Sequence, residues 1–179
     1  MTTRTIPNDT MPALEAELVG GGTWRLAAEH ARMLELIVFY HGLHCPGCDE
    51  WLGELHRLLP EFDTLGVAVV ALSCDPRERA EQAARVWGLP ELRIGYGLDH
   101  EDARKAGIYV SEGRGTNAGT GLTETRVFTE PAVLAVKPDG TLYAAWVQSG
   151  PDARPHLPEI LAALARAITA NLPEPRGSA

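Results

Sequence analysis

Residues 38–48 read "VFYHGLHCPGC", and this stretch decides the fold. It contains the end of an apolar run over 33–40, whose branched and aromatic residues predict a buried strand. Beyond it, apolar residues recur at helical spacing and predict a helix over 46–62, with Asp49 and Glu50 in the first turn. A Cys-Pro-Gly-Cys sequence therefore lies at a corner between a strand and a helix.

The two cysteines of this corner can reach one another because they stand three residues apart. Cys45 is expected at or just before the helix N-terminus, where unpaired amides and the helix dipole favour a thiolate. Cys48, one turn further, can attack a mixed disulfide formed at Cys45, which is the chemistry of thiol–disulfide exchange. His41 and His44 are either positive partners that tune the thiolate or partly exposed polar residues at a strand end.

The remaining patterns predict strands and helices that alternate around this corner. The order implies parallel strands with helical crossovers, followed by an antiparallel hairpin. The fold class is therefore α/β, with a mixed central β-sheet flanked by helices and an N-terminal β-hairpin extension. The predicted elements are a hairpin around the glycines 20–22, a strand over 66–74, a helix from the N-cap candidate Asp75 to Gly88, a short helix over 100–108, a hairpin around the Pro-Asp-Gly turn at 138–140 and an amphipathic helix over 157–172.

Composition and charge limit the partners. The chain has 179 residues and a net charge of −8, which argues against nucleic acid or an anionic membrane surface as the main partner. The N-terminus carries no secretory pattern, and no apolar run approaches the roughly 20 residues of a membrane helix. We therefore expect a cytoplasmic protein with one domain over 13–172, a lead-in over 1–12 and a frayed tail over 173–179.

The three cysteines permit alternatives to redox chemistry. Structural disulfides are rare in the cytoplasm, so a close pair is catalytic or metal-binding rather than a staple. Zinc could use His41, His44, Cys45, Cys48 and Cys74, although no second C-x-x-C or His pair completes a known spacing. A metal-holding or redox-sensing protein is the lower-ranked alternative, and inert core thiols are a third. Cys74 itself is predicted to be a core thiol near the active edge.

Residues 39–55, 67–90 and 131–147 together resemble the thioredoxin-fold redoxin superfamily. The resemblance is strongest to peroxiredoxin-like proteins of the alkyl hydroperoxide reductase/thiol-specific antioxidant (AhpC/TSA) family, and it spans roughly 12–170. It implies a thioredoxin-like fold in which Cys45 attacks a peroxide or a disulfide and Cys48 resolves the product. It implies no bound cofactor, and it also implies pairing into a homodimer.

The chain departs from the peroxiredoxin pattern P-x-x-x-T-x-x-C, whose Pro and Thr shape the peroxide pocket. Val38 and Gly42 stand in those places. Pro131 stands where the family carries an arginine, and it resembles the cis-proline that thioredoxins place opposite their cysteines. Glu130 could transfer a proton to the buried thiol, although a solvated edge charge is the preferred interpretation.

These departures from the peroxiredoxin pattern decide which of two related activities the sequence favours. With fewer donors for the peroxide oxygens, a thiol-dependent oxidoreductase acting in disulfide exchange or antioxidant defence ranks above a hydroperoxide reductase. Cys45 and Cys48 are the predicted catalytic residues, supported by His44, His41, Pro131 and Glu130. The expected partners are a thioredoxin- or glutathione-like thiol donor and a disulfide or hydroperoxide substrate. The glycine-rich loop over 111–127 is predicted to cover the cysteines or a partner surface.

Overall fold

A computed structural model describes residues 6–150, 152–175 and 177 of the chain. Its helices and strands alternate much as the sequence patterns predict. The helices are α1 (Cys48–Thr64), α2 (Arg77–Val86), α3 (His100–Lys105) and α4 (Leu157–Thr169). The strands are β1 (Glu15–Leu18), β2 (Thr23–Arg25), β3 (Leu34–Phe39), β4 (Val67–Leu72), β5 (Ile94–Tyr96), β6 (Val110–Glu112), β7 (Val127–Thr129), β8 (Ala132–Val136) and β9 (Leu142–Val147).

Seven strands form one mixed sheet in the order β2-β1-β5-β4-β3-β8-β9. The central strands β3, β4 and β5 run parallel, because α1 and α2 cross between them. The hairpin β8–β9 adds antiparallel strands on one side, and the N-terminal hairpin β1–β2 extends the other side. Strands β6 and β7 pair separately. This architecture confirms the predicted fold class, including the N-terminal hairpin.

Strand β3 explains why the sheet positions the cysteines so firmly. All of its residues are buried, and they alternate between two apolar clusters on the two faces of the sheet. Leu36 and Val38 pack in the cluster that contains α1 and α4, whereas Ile37 and Phe39 face the other cluster. Full burial of each such side chain is worth about 1.5–3 kcal/mol, so the register of β3 is strongly determined.

Two predicted helix starts are wrong. The first helix begins at Cys48 with Gly47 as its N-cap, not at residue 46, so Cys45 lies in the turn before the helix. That turn is closed by the Cys48 amide, which donates to the Cys45 carbonyl at 3.3 Å. Pro76, not Asp75, is the N-cap of α2, because the Asp75 carboxylate instead accepts the backbone N–H of Leu43 at 2.7 Å. No sequence pattern predicts the short strands β5, β6 and β7.

Residues Asn8 and Thr10, before β1, contact the β8–β9 hairpin. Thr10 forms a bridge with Thr141, and the amide of Asn8 donates to the carbonyl of Leu142 at 2.7 Å. The predicted lead-in is therefore bonded to the sheet over these residues. The predicted tail over 173–179 falls partly outside the described residues. Within them, no helix combines the length and the apolar character needed to cross a membrane.

Candidate active site

The two cysteines lie side by side at the carboxyl end of β3. The Cys48 thiol donates to Cys45 Sγ, and the two sulfurs are 2.6 Å apart. Cys45 is 3% exposed and Cys48 is fully buried against the core. Cys45 lines a cleft at the surface, whereas Cys48 has no exposed surface.

Arg154 completes this pair, and sequence reasoning missed it. Its Nη2 donates to Cys45 Sγ at 2.8 Å and lies 4.0 Å from Cys48 Sγ. Its Nε is buried and has no hydrogen-bond partner within the described part of the chain. No periodicity or motif marks Arg154, which follows β9 in an irregular segment, so only the fold reveals it.

Two residues at the start of α1, Trp51 and Gly47, allow Arg154 to lie against the cysteines. Trp51 on α1 donates its indole N–H to the carbonyl of Pro155 at 2.9 Å, which anchors the backbone next to Arg154. Gly47 lacks a side chain where one would press on the arginine, since a Cβ built there would lie 3.2 Å from Cζ and Nη2 of Arg154. The Pro-Gly between the thiols therefore serves the arginine as well as the turn.

A second group of polar side chains lies near Cys45. A ring nitrogen of His41 is within 4.8 Å of Cys45 Sγ, and His41 Nε2 lies 2.8 Å from Glu130 Oε2. The other oxygen of Glu130 accepts the hydroxyl of Ser111 at 2.6 Å. The side chain of Glu130 is 14% exposed, so its interpretation as a solvated edge charge is wrong. The β6–β7 pair covers it, and no sequence pattern indicates that contact.

His44 lies beside these groups but bonds to the covering loop. Its carbonyl accepts the hydroxyl of Thr120 at 2.8 Å, and its Nδ1 lies 3.5 Å from the amide nitrogen of Thr125. The rings of His41 and His44 stack at 6.2 Å, and both meet the edge or face of Phe128. His44 thus ties the predicted loop to the cysteine turn, whereas His41 faces the sulfur.

Pro131 is not a cis-proline. Every peptide bond within the described ranges is trans, including the bond that precedes Pro131. The chain runs extended from β7 into β8 here, and the carbonyl of Pro131 accepts the amide of Gln148 at 3.1 Å, so the residue serves as a strand entry. The prediction of a cis bond is therefore wrong. The trans form is also the lower-energy state of an X-Pro bond.

The electrostatics of the site favour one thiolate and one thiol. The hydrogen bond from Cys48 lowers the pKa of Cys45 most; burial opposes it, and His41 and Arg154 lower it further. Burial raises the pKa of Cys48 well above its usual range. Burial alone would lower the pKa of His41, but its bonds to Cys45 and Glu130 outweigh that and raise it. Burial lowers the pKa of His44.

A cleft of about 860 Å³ opens above Cys45. Its walls carry both signs of charge, with Arg114 and Arg154 on one hand and several carboxylates, including Glu130, on the other. Ser111 and Phe128 from the β6–β7 pair also line the cleft. The cleft can therefore admit a small polar molecule to the sulfur.

Comparison with known proteins agrees with this geometry. The model of the AhpC/TSA family matches residues 7–145. The chain belongs to the AhpC/TSA family. It is therefore a thiol-dependent oxidoreductase, and the sequence resemblance to this family is confirmed. No match was found among curated proteins.

Solved structures similar to this AhpC/TSA chain share its fold. Peroxiredoxin Q of Xanthomonas campestris is 23% identical with a TM-score of 0.64, covering 93% of this chain and 98% of its own. A peroxiredoxin-like protein of Aquifex aeolicus is 14% identical with a TM-score of 0.71 (89% and 86% covered). A reduced peroxiredoxin of Vibrio vulnificus, in complex with hydrogen peroxide, is 16% identical with a TM-score of 0.69 (88% and 97% covered).

The departures from the AhpC/TSA pattern have a structural explanation. Gly42 has φ +131°, and a Cβ built on it would lie 2.6 Å from both carboxylate oxygens of Asp75. Asp75, which is fully buried, fills the space that a threonine would need. The missing arginine is matched in charge by Arg154, which approaches Cys45 from the segment before α4. The site thus retains a guanidinium at the sulfur although the motif lacks one.

The site contains atoms that could ligate a metal ion, but the nearby positive charge of Arg154 is unfavourable for one. The donor atoms of His41, Cys45 and Cys48 lie within 4.8 Å of one another. Arg154, however, already places a positive charge 2.8 Å from Cys45 Sγ, where it would repel a cation. Cys74 is half-buried on the other face of the sheet, and burial raises its pKa to about 11. This environment suits a reactive thiolate better than a zinc site.

Proposed function

We propose that this AhpC/TSA protein is a hydroperoxide reductase in which Cys45 is the nucleophile and Cys48 the resolving thiol. The observation that carries the proposal is the guanidinium of Arg154, 2.8 Å from Cys45 Sγ at the floor of the cleft. Peroxidase chemistry ranked second from the sequence because this donor was missing. Its presence removes that objection, since a positioned donor stabilises the charge that develops on the peroxide oxygens.

The first step forms one bond and breaks one. The Cys45 thiolate attacks the terminal oxygen of the hydroperoxide, the S–O bond forms and the O–O bond breaks. Cys45 becomes a sulfenic acid, and the departing alkoxide takes a proton to leave as an alcohol or, from hydrogen peroxide, as water. The guanidinium of Arg154, whose Nη2 donates to Cys45 Sγ, is positioned to stabilise the charge on the oxygens during this step.

The second step closes the cysteine pair. Cys48 attacks the sulfur of the sulfenic acid, a disulfide forms and water leaves. The 2.6 Å between the sulfurs supports this closure without a large movement. An external thiol of the thioredoxin or glutathione kind then supplies two electrons and two protons to restore both thiols. A cytoplasmic location and a homodimer, tested by fractionation and by light scattering, belong to the same proposal.

Disulfide exchange is the second candidate, and the C-x-x-C pair favours it. The cleft of about 860 Å³ has room for a small disulfide. A folded protein disulfide fits less well, because Cys45 is only 3% exposed and must be approached through the cleft. The two candidates share the attack by Cys45 and differ in the electrophile.

Stopped-flow measurement on the reduced protein distinguishes them. We expect hydrogen peroxide or cumene hydroperoxide to oxidise Cys45 at least about 10²-fold faster than hydroxyethyl disulfide, the scale of one preorganised donor. A faster reaction with the disulfide would establish the second candidate instead. Cys45→Ser should abolish both reactions, and Cys48→Ser should stop at a sulfenic acid that dimedone traps. Metal analysis of anaerobically purified protein tests the metal-holding alternative.

A further inference from the structure

His41 is close both to the cysteine pair and to a carboxylate. One of its ring nitrogens lies within 4.8 Å of the sulfurs of both Cys45 and Cys48, and its Nε2 pairs with Glu130 Oε2 at 2.8 Å. Its side chain is 11% exposed, so bulk water has little access to compete for its proton.

We propose that His41 is the acid–base residue shared by both half-reactions, with Glu130 and Ser111 as its positioning residues. The inference rests on the proposed function and deepens it. His41 donates the proton that the leaving alkoxide needs, and it then accepts the proton that Cys48 must lose. One imidazole can serve both steps because they follow each other at the same sulfur.

The protons balance over the cycle. In the reduced protein Cys45 is a thiolate, His41 an imidazolium and Cys48 a thiol. When the O–O bond breaks, His41 gives its proton to the alkoxide and becomes neutral. Neutral His41 then takes the proton of Cys48; the S–S bond forms, the S–O bond breaks, and His41 returns that proton to the departing hydroxide as water. The external dithiol restores two electrons and two protons, which go to Cys48 and to the Cys45–His41 pair.

The charges around His41 support this cycle. Cys45, Cys48 and the neighbouring ring of His44 face it from the cysteine turn, and Glu130 faces it from the segment after β7. Arg154 donates to the sulfur of Cys45. Glu130 remains as a compensating charge whenever the Cys45 thiolate is consumed, and the Ser111 hydroxyl holds its second oxygen at 2.6 Å.

His44 cannot take this role. Its Nδ1 faces the amide of Thr125 at 3.5 Å instead of a carboxylate, and burial lowers the pKa of its ring, which disfavours the imidazolium that the first step needs. Of the two histidines that the sequence leaves equivalent, the structure therefore assigns proton transfer to His41 alone.

The test measures the two steps separately. Sulfenic acid formation is followed in a Cys48→Ser background, and disulfide closure is followed as the second phase in the full protein. Both are run with hydrogen peroxide and with hydroxyethyl disulfide, whose thiolate also needs a proton. His100→Gln is the matched control: it removes an imidazole that lies 3.5 Å from a glutamate, Glu101, but does not line the cleft.

We expect His41→Gln to slow both steps by about 10²-fold, the usual scale of general acid–base catalysis, and His100→Gln to slow neither. Added imidazole should restore part of the rate in His41→Gly. In Glu130→Gln the pH above which the peroxide rate falls should drop, because Glu130 raises the pKa of His41.

Three results would overturn the inference. They are loss of only one step in His41→Gln, no rescue by imidazole, and an unchanged pH profile in Glu130→Gln. If the intact protein reacts with the disulfide but not with peroxide, the proposed function fails while the disulfide experiment still tests His41. Slowed attack and slowed closure in that experiment would then support the relay on its own.

Discussion

Gly47 is the residue that makes room for Arg154. Its φ of −103° is open to any residue, so the reason for glycine is space and not backbone strain. A methyl group there would lie 3.2 Å from the guanidinium, which must then move away from Cys45. We expect Gly47→Ala to lower the peroxide rate of Cys45 by about 10-fold or more, toward the 10²-fold loss expected for Arg154→Gln.

A double-mutant cycle checks that Gly47 acts through Arg154. In the Arg154→Gln background, Gly47→Ala should change the peroxide rate little further, because the group that it displaces is gone. Gly53→Ala on α1 is the control, since a Cβ there meets only Arg57 Nη1 at 3.6 Å. It should leave the rate unchanged and stabilise the helix by about 0.5–1 kcal/mol. Additive losses in the double variant would contradict the explanation.

At the scale of elements, Asp75 joins four parts of the chain. It follows β4 and precedes α2, accepts the amide of Leu43 before the cysteine turn, and accepts the hydroxyl of Thr125 in the loop between β6 and β7. Arg79 on α2 lies 3.4 Å from the same carboxylate. A fully buried charge with several donors fixes the turn and the loop together.

We therefore expect Asp75→Asn to lower the free energy of unfolding by about 2–3 kcal/mol, the scale of hydrogen bonds to a buried charge. Amide exchange should rise both at the cysteine turn and in the loop that contains Thr125. Asp99→Asn is the matched control, because Asp99 caps α3 at an exposed site where Asn caps equally well. Exchange that rises in the turn alone would show that Asp75 does not couple it to the loop.

At the scale of the whole molecule, stability depends on Glu35, a buried carboxyl group at the end of β3 that is remote from the cysteines. Glu35 is 3% exposed; it accepts the indole N–H of Trp24 at 3.1 Å and lies 3.8 Å from Arg93. Burial, reinforced by nearby Glu29, raises the pKa of Glu35 to about 7 from 4.5. A raised pKa means that the folded state holds a proton that the unfolded chain has lost, so stability falls as pH rises across this window.

We expect Glu35→Gln to gain stability relative to the unsubstituted protein between pH 4.5 and 7.5, by roughly 3 kcal/mol at about 1.4 kcal/mol per pKa unit. The free energy of unfolding is measured in guanidinium at each pH for both proteins. The difference between them reports the titration of Glu35 and not that of the cysteines. Glu61→Gln, at an exposed position on α1, is the control and should show no such trend. A flat difference for Glu35→Gln would contradict the prediction.

Much of the fold could be predicted from local patterns. The apolar run of β3, the helical spacing of α1, the glycine turn of the first hairpin and the Pro-Asp-Gly turn each act within a few residues, and the structure confirms each element. Strand β5 was missed because three residues, Ile94–Tyr96, are too short to show a period. The N-cap at Asp75 was wrong because a distant amide, that of Leu43, competes for the same carboxylate.

The sequence by itself determined the chemistry at the corner: two thiols after a buried strand, the first before a helix. The tertiary structure alone decided which groups act on them. Arg154 lies 109 residues from Cys45 and Glu130 lies 89 residues from His41, and both arrive on irregular segments at the edge of the sheet. The physical reason is that periodicity records which face of an element is buried, whereas a hydrogen bond between distant side chains leaves no period in either segment.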